Sequence, residues 1–238
     1  MLPTSVICWK WTPATDYRSA FGPETVNTLR RMVARHFPHP HRFICCTDDA
    51  AGLDSEVLVV PMGDLFVGLQ SMHGPRRPSC FRRLRAFAPE AADLFGARFV
   101  SLDLDVVITG NLTKLWSRSE DFVIWQGQRP GTAYNASMYL LTAGTRRQVW
   151  DTFDPVTSPP IAAAAGCYGS DQAWISYVLG GREATWSKAD GVYSFRNDIR
   201  RVLGQRLPAN ARVVFFHGSH DPWGPLAQKV PWVKEHYR

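Results

Sequence analysis

The chain has 238 residues and no apolar run of membrane-spanning length, and residues 1–10 show no basic region leading into an apolar stretch. Neither a transmembrane anchor nor a secretory leader is therefore expected. The five cysteines, Cys8, Cys45, Cys46, Cys80 and Cys167, are an odd set without metal-ligand spacing. Buried, reduced thiols in a cytoplasmic protein fit them better than a disulfide framework. Internal repeats, low-complexity segments and linkers are also missing, so nothing divides the chain. No G-x-G-x-x-G follows the first expected strand, which argues against a dinucleotide cofactor.

What is present describes an ordinary globular protein. Hydrophobic residues make up 45% and charged residues 20%, which suits a sizeable core in one large α/β domain. The net charge is +6, with a pI near 9.2, and arginine supplies most of the positive charge. Arg76, Arg77, Arg82, Arg83 and Arg85 form one cluster, and Arg196, Arg200, Arg201, Arg206 and Arg212 form another. A guanidinium grips phosphate through two parallel hydrogen bonds, so a phosphorylated substrate or nucleic acid suits these clusters. A plain basic surface is the bland alternative.

Residues 6–11 read as a first strand running into a loop. Residues 23–36 read as a helix, with Val26, Leu29, Val33 and Phe37 at helical spacing, Pro23 in the first turn, and Pro38 and Pro40 as stops. Strands at 42–46 and 57–60 follow, and strand, helix, strand in this order predicts a parallel, Rossmann-like start. Further helices are expected at 80–87 and 144–153, a helical turn at 112–116, and strands at 122–126, 134–142 and 212–216. Residues 158–169 read as a loop, with Ser170 as the N-cap of a helix reaching Leu179. The tail, with Trp232 and Tyr237, is expected to pack back on the domain.

One stretch draws the rest together, R-F-V-S-L-D-L-D-V-V-I-T at 98–109. Two carboxylates interrupt a β-rich apolar run, and residues two apart on a strand point the same way. Asp103 and Asp105 are thus expected side by side at a buried strand end, where like charges lose hydration and repel. A hard divalent cation with oxygen ligands neutralises such a pair; a strand end facing water is the alternative.

Several motifs then fall in order: the first strand and its loop with Tyr17, S-L-D-L-D-V-V-I at 101–108, Y-N-A-S-M-Y-L-L at 134–141, S-D-Q at 170–172, and F-F-H-G-S-H-D-P-W at 215–223. Together they resemble the metal-dependent GT-A glycosyltransferases, especially the retaining family of glycogenin and the bacterial lipopolysaccharide galactosyltransferases. The resemblance spans nearly the whole chain. It implies a single GT-A domain over 1–238, α/β with a central mixed, mostly parallel sheet. Residues 1–110 would form the nucleotide-binding half and 111–238 the acceptor and sugar half.

The resemblance also implies roles. Asp103 and Asp105 would hold Mn²⁺ or Mg²⁺, Asp105 more firmly, with Asp103 also reaching the ribose. Cys8, Trp9, Lys10 and Tyr17 would meet base and ribose, either aromatic ring stacking on the base. Arg83 would contact the nucleotide-sugar, with Arg82 and Arg85 as rivals. Asn135 would bind the sugar, and Asp171 and Gln172 would reach it near the anomeric carbon. Gly218 aligns with the family's glycine, but the family's metal-binding histidine falls on Phe215 and its phosphate-binding lysine on Asp221. His217, or failing it His220, could supply the imidazole, and Lys10 or the arginine clusters the missing cation.

The expected activity is transfer of a sugar from a nucleotide-diphospho-sugar, with uridine the expected base, to a hydroxyl acceptor. The acceptor would be a glycan precursor or a hydroxymethylated base in DNA; no obligate protein partner is evident. A nucleotidyltransferase of related fold would show a glycine-rich basic loop after the first strand, which is absent. A basic nucleic-acid-binding protein leaves the paired aspartates unexplained.

Overall fold

The computed structural model describes residues 2–12, 21–74, 79–200, 205–217 and 220–238. Its first strand, β1 (Ser5–Lys10), is buried along its whole length. The strand shows no polar alternation because both faces are covered, as in the middle of a parallel sheet. Val6 and Cys8 enter one hydrophobic core while Ile7 and Trp9 enter a second on the opposite face, the alternation that a pleated strand imposes. Helix α1 (Pro23–His36) begins with Pro23 in its first turn and buries Val26, Leu29, Met32 and Val33 against the first core. Burying each such side chain stabilises by about 1.5–3 kcal/mol.

The chain continues through β2 (Arg42–Thr47), β3 (Val57–Pro61), a 3₁₀ turn (Phe81–Phe87), α2 (Ala91–Phe95), β4 (Arg98–Leu102) and β5 (Val106–Ile108). Then come α3 (Thr113–Trp116), β6 (Phe122–Arg129), β7 (Thr132–Thr142), α4 (Gln148–Asp151), α5 (Ser158–Ala164) and α6 (Asp171–Leu179). Strands β8 (Ala184–Trp186), β9 (Val192–Ser194) and β10 (Val213–Phe215) precede α7 (Pro231–His236).

Among the described residues the strands form a seven-stranded sheet, ordered β3-β2-β1-β4-β7-β6-β8, and a three-stranded sheet, ordered β5-β10-β9. In the large sheet β7 runs antiparallel to both its neighbours and every other pairing is parallel. The molecule is α/β with a mixed, mostly parallel central sheet. From β1 the chain builds to one side through β2 and later to the other through β4. A crevice opens beyond the carboxyl ends of strands where the order reverses in this way, the usual ligand site of such sheets.

The structure departs from the sequence expectation at the aspartates. The run at 98–109 is not one strand, because β4 ends at Leu102 and β5 starts at Val106 in the other sheet. The apolar pattern looks continuous because both strands are fully buried. Residues 144–153 form only the short α4, and the expected loop at 158–169 contains α5, whose prolines sit in its first turn where no N–H is needed. Ser170 occupies the N-cap position but makes no cap bond; its Oγ accepts the Cys80 N–H at 2.8 Å. No described helix is long and apolar enough to cross a membrane.

Candidate active site

Residues 103–105 bridge the two sheets. The Asp103 N–H donates to the Ser137 carbonyl on β7 at 2.8 Å, and the Phe216 N–H donates to the Asp105 carbonyl at 2.7 Å. Each aspartate backbone is therefore held by a different sheet, at the carboxyl end of β4 where the crevice opens. Asp105 is half-buried, and its carboxyl is pushed well above the usual range by burial, then by the like charges of Asp103 and Asp221. Asp103 and Asp221 thus both act on Asp105 as like charges. Sequence comparison marked Asp221 only as a missing lysine.

Arg83 stands at the centre. The 3₁₀ turn buries it, and its Nε donates to Asp171 Oδ2 at 2.8 Å while Nη1 pairs with Asp103. Burial works against its charge, but Asp103 and Asp171 outweigh that and hold the guanidinium well above its ordinary pKa. Asp171 starts α6, with its side chain only 3% exposed. Burial raises its pKa and Arg83 opposes the rise. Thus one guanidinium ties together the end of β4, the start of α6 and the turn after β3, three segments remote in sequence. The rival arginines are committed elsewhere. Arg82 donates to the Gly63 carbonyl at 2.6 Å and pairs with Asp48, while Arg85 donates to the Pro61 carbonyl and lies 3.8 Å from Glu90.

Asn135 lies two residues along β7 from Ser137, which stands opposite Asp103. Between the two the ladder shifts register, Ile124 of β6 pairing with Tyr139 and Trp125 with Asn135, so Ser137 faces Asp103 while Asn135 lies across an irregularity of β7. The Asn135 Oδ1 accepts the Ser137 N–H at 2.9 Å, which orients the amide. Gln172 sits one residue past Asp171 and donates from Nε2 to the Tyr168 carbonyl at 3.0 Å.

Other expected site residues are placed differently. Trp9 is 5% exposed, packs edge-on to Phe95 and donates from its indole to Ser101 Oγ at 2.9 Å, so its ring offers no face to a base. Cys8 is fully buried, with its thiol pushed up by burial, and any contact there falls to the backbone. Lys10 is tied to the turn beyond β2, donating to the Asp49 carbonyl at 2.7 Å. It is therefore not a ready substitute for the missing lysine. Phe215 is core, stacked on Trp125 at 4.6 Å. His217 bonds Ser194 Oγ through Nε2 at 2.7 Å and is pushed down to about 4 by burial, then by Arg196 and Arg129. His220 lies beside Phe195, ring centroids 6.1 Å apart. The charges acting on Asp105 are those of Asp103, Asp221 and Arg83, not an imidazole. Tyr17 and Gly218 lie outside the described residues. Among the described residues no three His, Cys, Asp or Glu side chains stand together as a metal cage.

Sequence reading also missed Tyr237. Its hydroxyl is pushed up by burial, then by Asp105 and Asp221. The C-terminal tail thus reaches the acidic corner. A lone tyrosine near the chain end carries no local signal of this.

No family model matches the chain, and no curated protein matches its sequence. Solved structures do, and they define the class: the chain has the GT-A glycosyltransferase fold. It is similar to the galactosyltransferase LgtC in complex with donor and acceptor sugar analogues, with a TM-score of 0.60 and 15% identity over 97% of this chain and 94% of that one. The glycosyltransferase GlyE of Streptococcus pneumoniae TIGR4 matches with a TM-score of 0.58 and 13% identity over 93% of this chain and 57% of that one. Mouse xyloside xylosyltransferase 1 matches with a TM-score of 0.55 and 12% identity, covering 91% and 98%. These likenesses agree with the resemblance drawn from the sequence motifs, at the level of fold.

Proposed function

We propose that the protein is a glycosyltransferase that moves a sugar, with retention, from a nucleotide-diphospho-sugar to a hydroxyl acceptor, uridine diphosphate being the favoured nucleotide. The carrying observation is the buried Asp103–Arg83–Asp171 linkage at the crevice beyond β1 and β4. Buried charges are costly, and a fold that buries Arg83 and Asp171 beside the half-buried Asp103, Asp105 and Asp221 suits a charged substrate.

The donor set fits Mn²⁺ or Mg²⁺. Asp103 and Asp105 offer hard carboxylate oxygens, and burial followed by the charges of Asp103 and Asp221 raises the pKa of Asp105, a cost that a bound cation would relieve. Mg²⁺ is commonly held by one or two carboxylates together with substrate phosphates, so in this reading Asp103 and Asp105 would hold the ion together with the diphosphate. Bound there, the cation would offset the charge that builds on the departing diphosphate.

The protein's own groups position the reactants. Arg83 fixes Asp103 against Asp171, so the ribose end and the sugar end of the site keep a constant separation. Asn135, two residues along β7 from the residue opposite Asp103, would hold a sugar hydroxyl, and Gln172 would lie beside the anomeric carbon. In the transfer, the bond from that carbon to the diphosphate oxygen breaks and its electron pair goes to the oxygen. The acceptor hydroxyl bonds the carbon on the same face and gives its proton to the departing diphosphate. No protein base is required, which suits a site whose Asp171 is already engaged by Arg83. Because Arg82 and Arg85 are spent on internal contacts, the reading favours a glycan acceptor over DNA.

The test is a panel of nucleotide-sugars with Mn²⁺, followed by release of free nucleoside diphosphate. Release with one donor, abolished by Asp105→Ala, is the expected result. No release or binding with any donor rejects the proposal, and consumption of a nucleoside triphosphate would point to a nucleotidyltransferase instead.

A further inference from the structure

The peptide group that joins Tyr168 to Gly169, in the loop before α6, is hydrogen-bonded at both ends. Its N–H donates to His73 Nε2 at 3.1 Å, and its carbonyl accepts Gln172 Nε2 at 3.0 Å. A peptide is planar, so its N–H and C=O point opposite ways and turn together. His73 therefore reaches Gln172 through one rigid plate, and each bond polarises the other. Gly169 makes the approach possible. Its φ is +120°, and a Cβ there would lie 2.6 Å from Gln172 Cγ, so the glutamine side chain lies directly against bare backbone.

His73 is held in place for this contact. Its ring stacks on Tyr168 at 3.8 Å, and Arg129, at the end of β6, lies over the same ring at 3.9 Å. Two groups so near one centroid must take opposite faces. The Tyr168 N–H donates to Thr132 Oγ1 at 2.6 Å, and the His73 N–H donates to Ser71 Oγ at 3.3 Å. The segment after β3 and the β6–β7 hairpin thus converge on residue 168.

An imidazole that accepts at Nε2 carries its proton on Nδ1. A second proton, on Nε2, would aim one donor at another and break the bond from Gly169. From the loop before α6 the ring faces the Tyr168 phenol, from β6 the Arg129 guanidinium beyond that phenol, and from its own segment the Ser71 hydroxyl. Arg129 would repel the new charge across the tyrosine, so the protonated ring is driven from the stack as well.

Resting on the glycosyltransferase reading, we propose that His73 is a positioning residue for transfer. While neutral it fixes the Tyr168–Gly169 peptide, which fixes the Gln172 amide at the sugar, and acidification releases both.

The test follows amide exchange and turnover in the wild type and two variants. His73→Gln supplies a side-chain oxygen near the place of Nε2 that does not titrate. His73→Phe keeps a ring to stack on Tyr168 but accepts nothing. Between about pH 7.5 and about pH 5.5, across the ordinary histidine range, wild-type protection of the Gly169 amide should fall roughly tenfold or more. The β1 amides should keep theirs in the same samples. The glutamine variant should show no such fall, and the phenylalanine variant should lack Gly169 protection at both pH values. With a nucleotide-sugar and Mn²⁺, kcat should track Gly169 protection across the three proteins, while affinity for uridine diphosphate stays unchanged. Gly169 protection that persists in acid overturns the proposal, and so does a loss shared with β1, which would be global unfolding. An acid loss retained by the glutamine variant, or wild-type kcat in the phenylalanine variant, overturns it too. Absence of turnover with every donor, beside the expected exchange pattern, would instead defeat the glycosyltransferase reading.

Discussion

Arg83 has a forked cation where a point charge would not serve. Its Nε and Nη1 meet Asp171 and Asp103 from one rigid plane, and a lysine ammonium cannot span both with fixed geometry. Arg83→Ala leaves two carboxylates without their partner in a low-dielectric corner, and about 3–5 kcal/mol of stability should be lost. Arg83→Lys should unfold at higher denaturant than the alanine variant, yet lose donor turnover at least tenfold. If the lysine variant kept full turnover, charge alone would be the role of Arg83. Asp105 behaves in the opposite sense. Its folded pKa lies above the unfolded value of about 4, so the metal-free fold binds that proton more tightly than the unfolded chain. Its stabilising contribution is full below pH ~4 and is withdrawn as pH rises through the folded value. Asp105→Asn should therefore raise the thermal midpoint of the metal-free protein at neutral pH, flatten its decline with pH, and abolish donor turnover. A lower midpoint in that variant would contradict the account.

At the scale of elements, Ser170 links the 3₁₀ turn that carries Arg83 to the helix that carries Asp171. Its Oγ receives the Cys80 N–H rather than capping α6. At an ordinary cap, glycine is tolerated far better than alanine. Here both Ser170→Ala and Ser170→Gly should cost about 1 kcal/mol, read by chemical denaturation, and both should weaken turnover. Recovery in the glycine variant alone would restore the capping role. The same neighbourhood shows how legible the chain was. Helix α1 was readable to the residue, because its apolar spacing, Pro23 start and proline stops are all local. Helix α5 was not, since Pro159 and Pro160 read as breakers until their place in the first turn is known. The break at 103–105 was invisible for a different reason: two buried strands in different sheets have the same apolar composition as one.

The whole molecule is closed by its C-terminal tail. Trp232 packs against Phe195 and Phe216 and donates to the Gln205 carbonyl at 2.9 Å. Arg35 on α1 donates to the carbonyls of His236 and Arg238, and the Tyr237 hydroxyl is pushed up by burial and then by the charges of Asp105 and Asp221. The seam holds two histidines, His36 and His236, with ring centroids 6.2 Å apart. Burial lowers both pKa values, and Arg35 lowers them further while Glu235 partly opposes at His236. A histidine whose folded pKa is lowered contributes stability that is present above its unfolded value of about 6.5 and lost as pH falls below it. Thermal stability should therefore drop between pH 7 and 5, and His36→Gln with His236→Gln should reduce that drop. Amide exchange in residues 231–238 should quicken over the same window. An unchanged slope in the double variant would move the pH dependence elsewhere.

By itself the sequence determined the repeating local choices: the strand-helix-strand opening, the absence of a dinucleotide loop, the paired aspartates and the order of motifs that resembles GT-A enzymes. Those follow from periodicity, turn residues and composition within a few positions of each other. Only the tertiary structure decided which of three arginines meets Asp103 and Asp171, that Trp9 and Lys10 are engaged internally, and that Asp221 and Tyr237 approach Asp105. Each of these depends on which strands and loops become neighbours. Neighbourhood is fixed by burial summed over the whole chain, and no short window of sequence contains that sum.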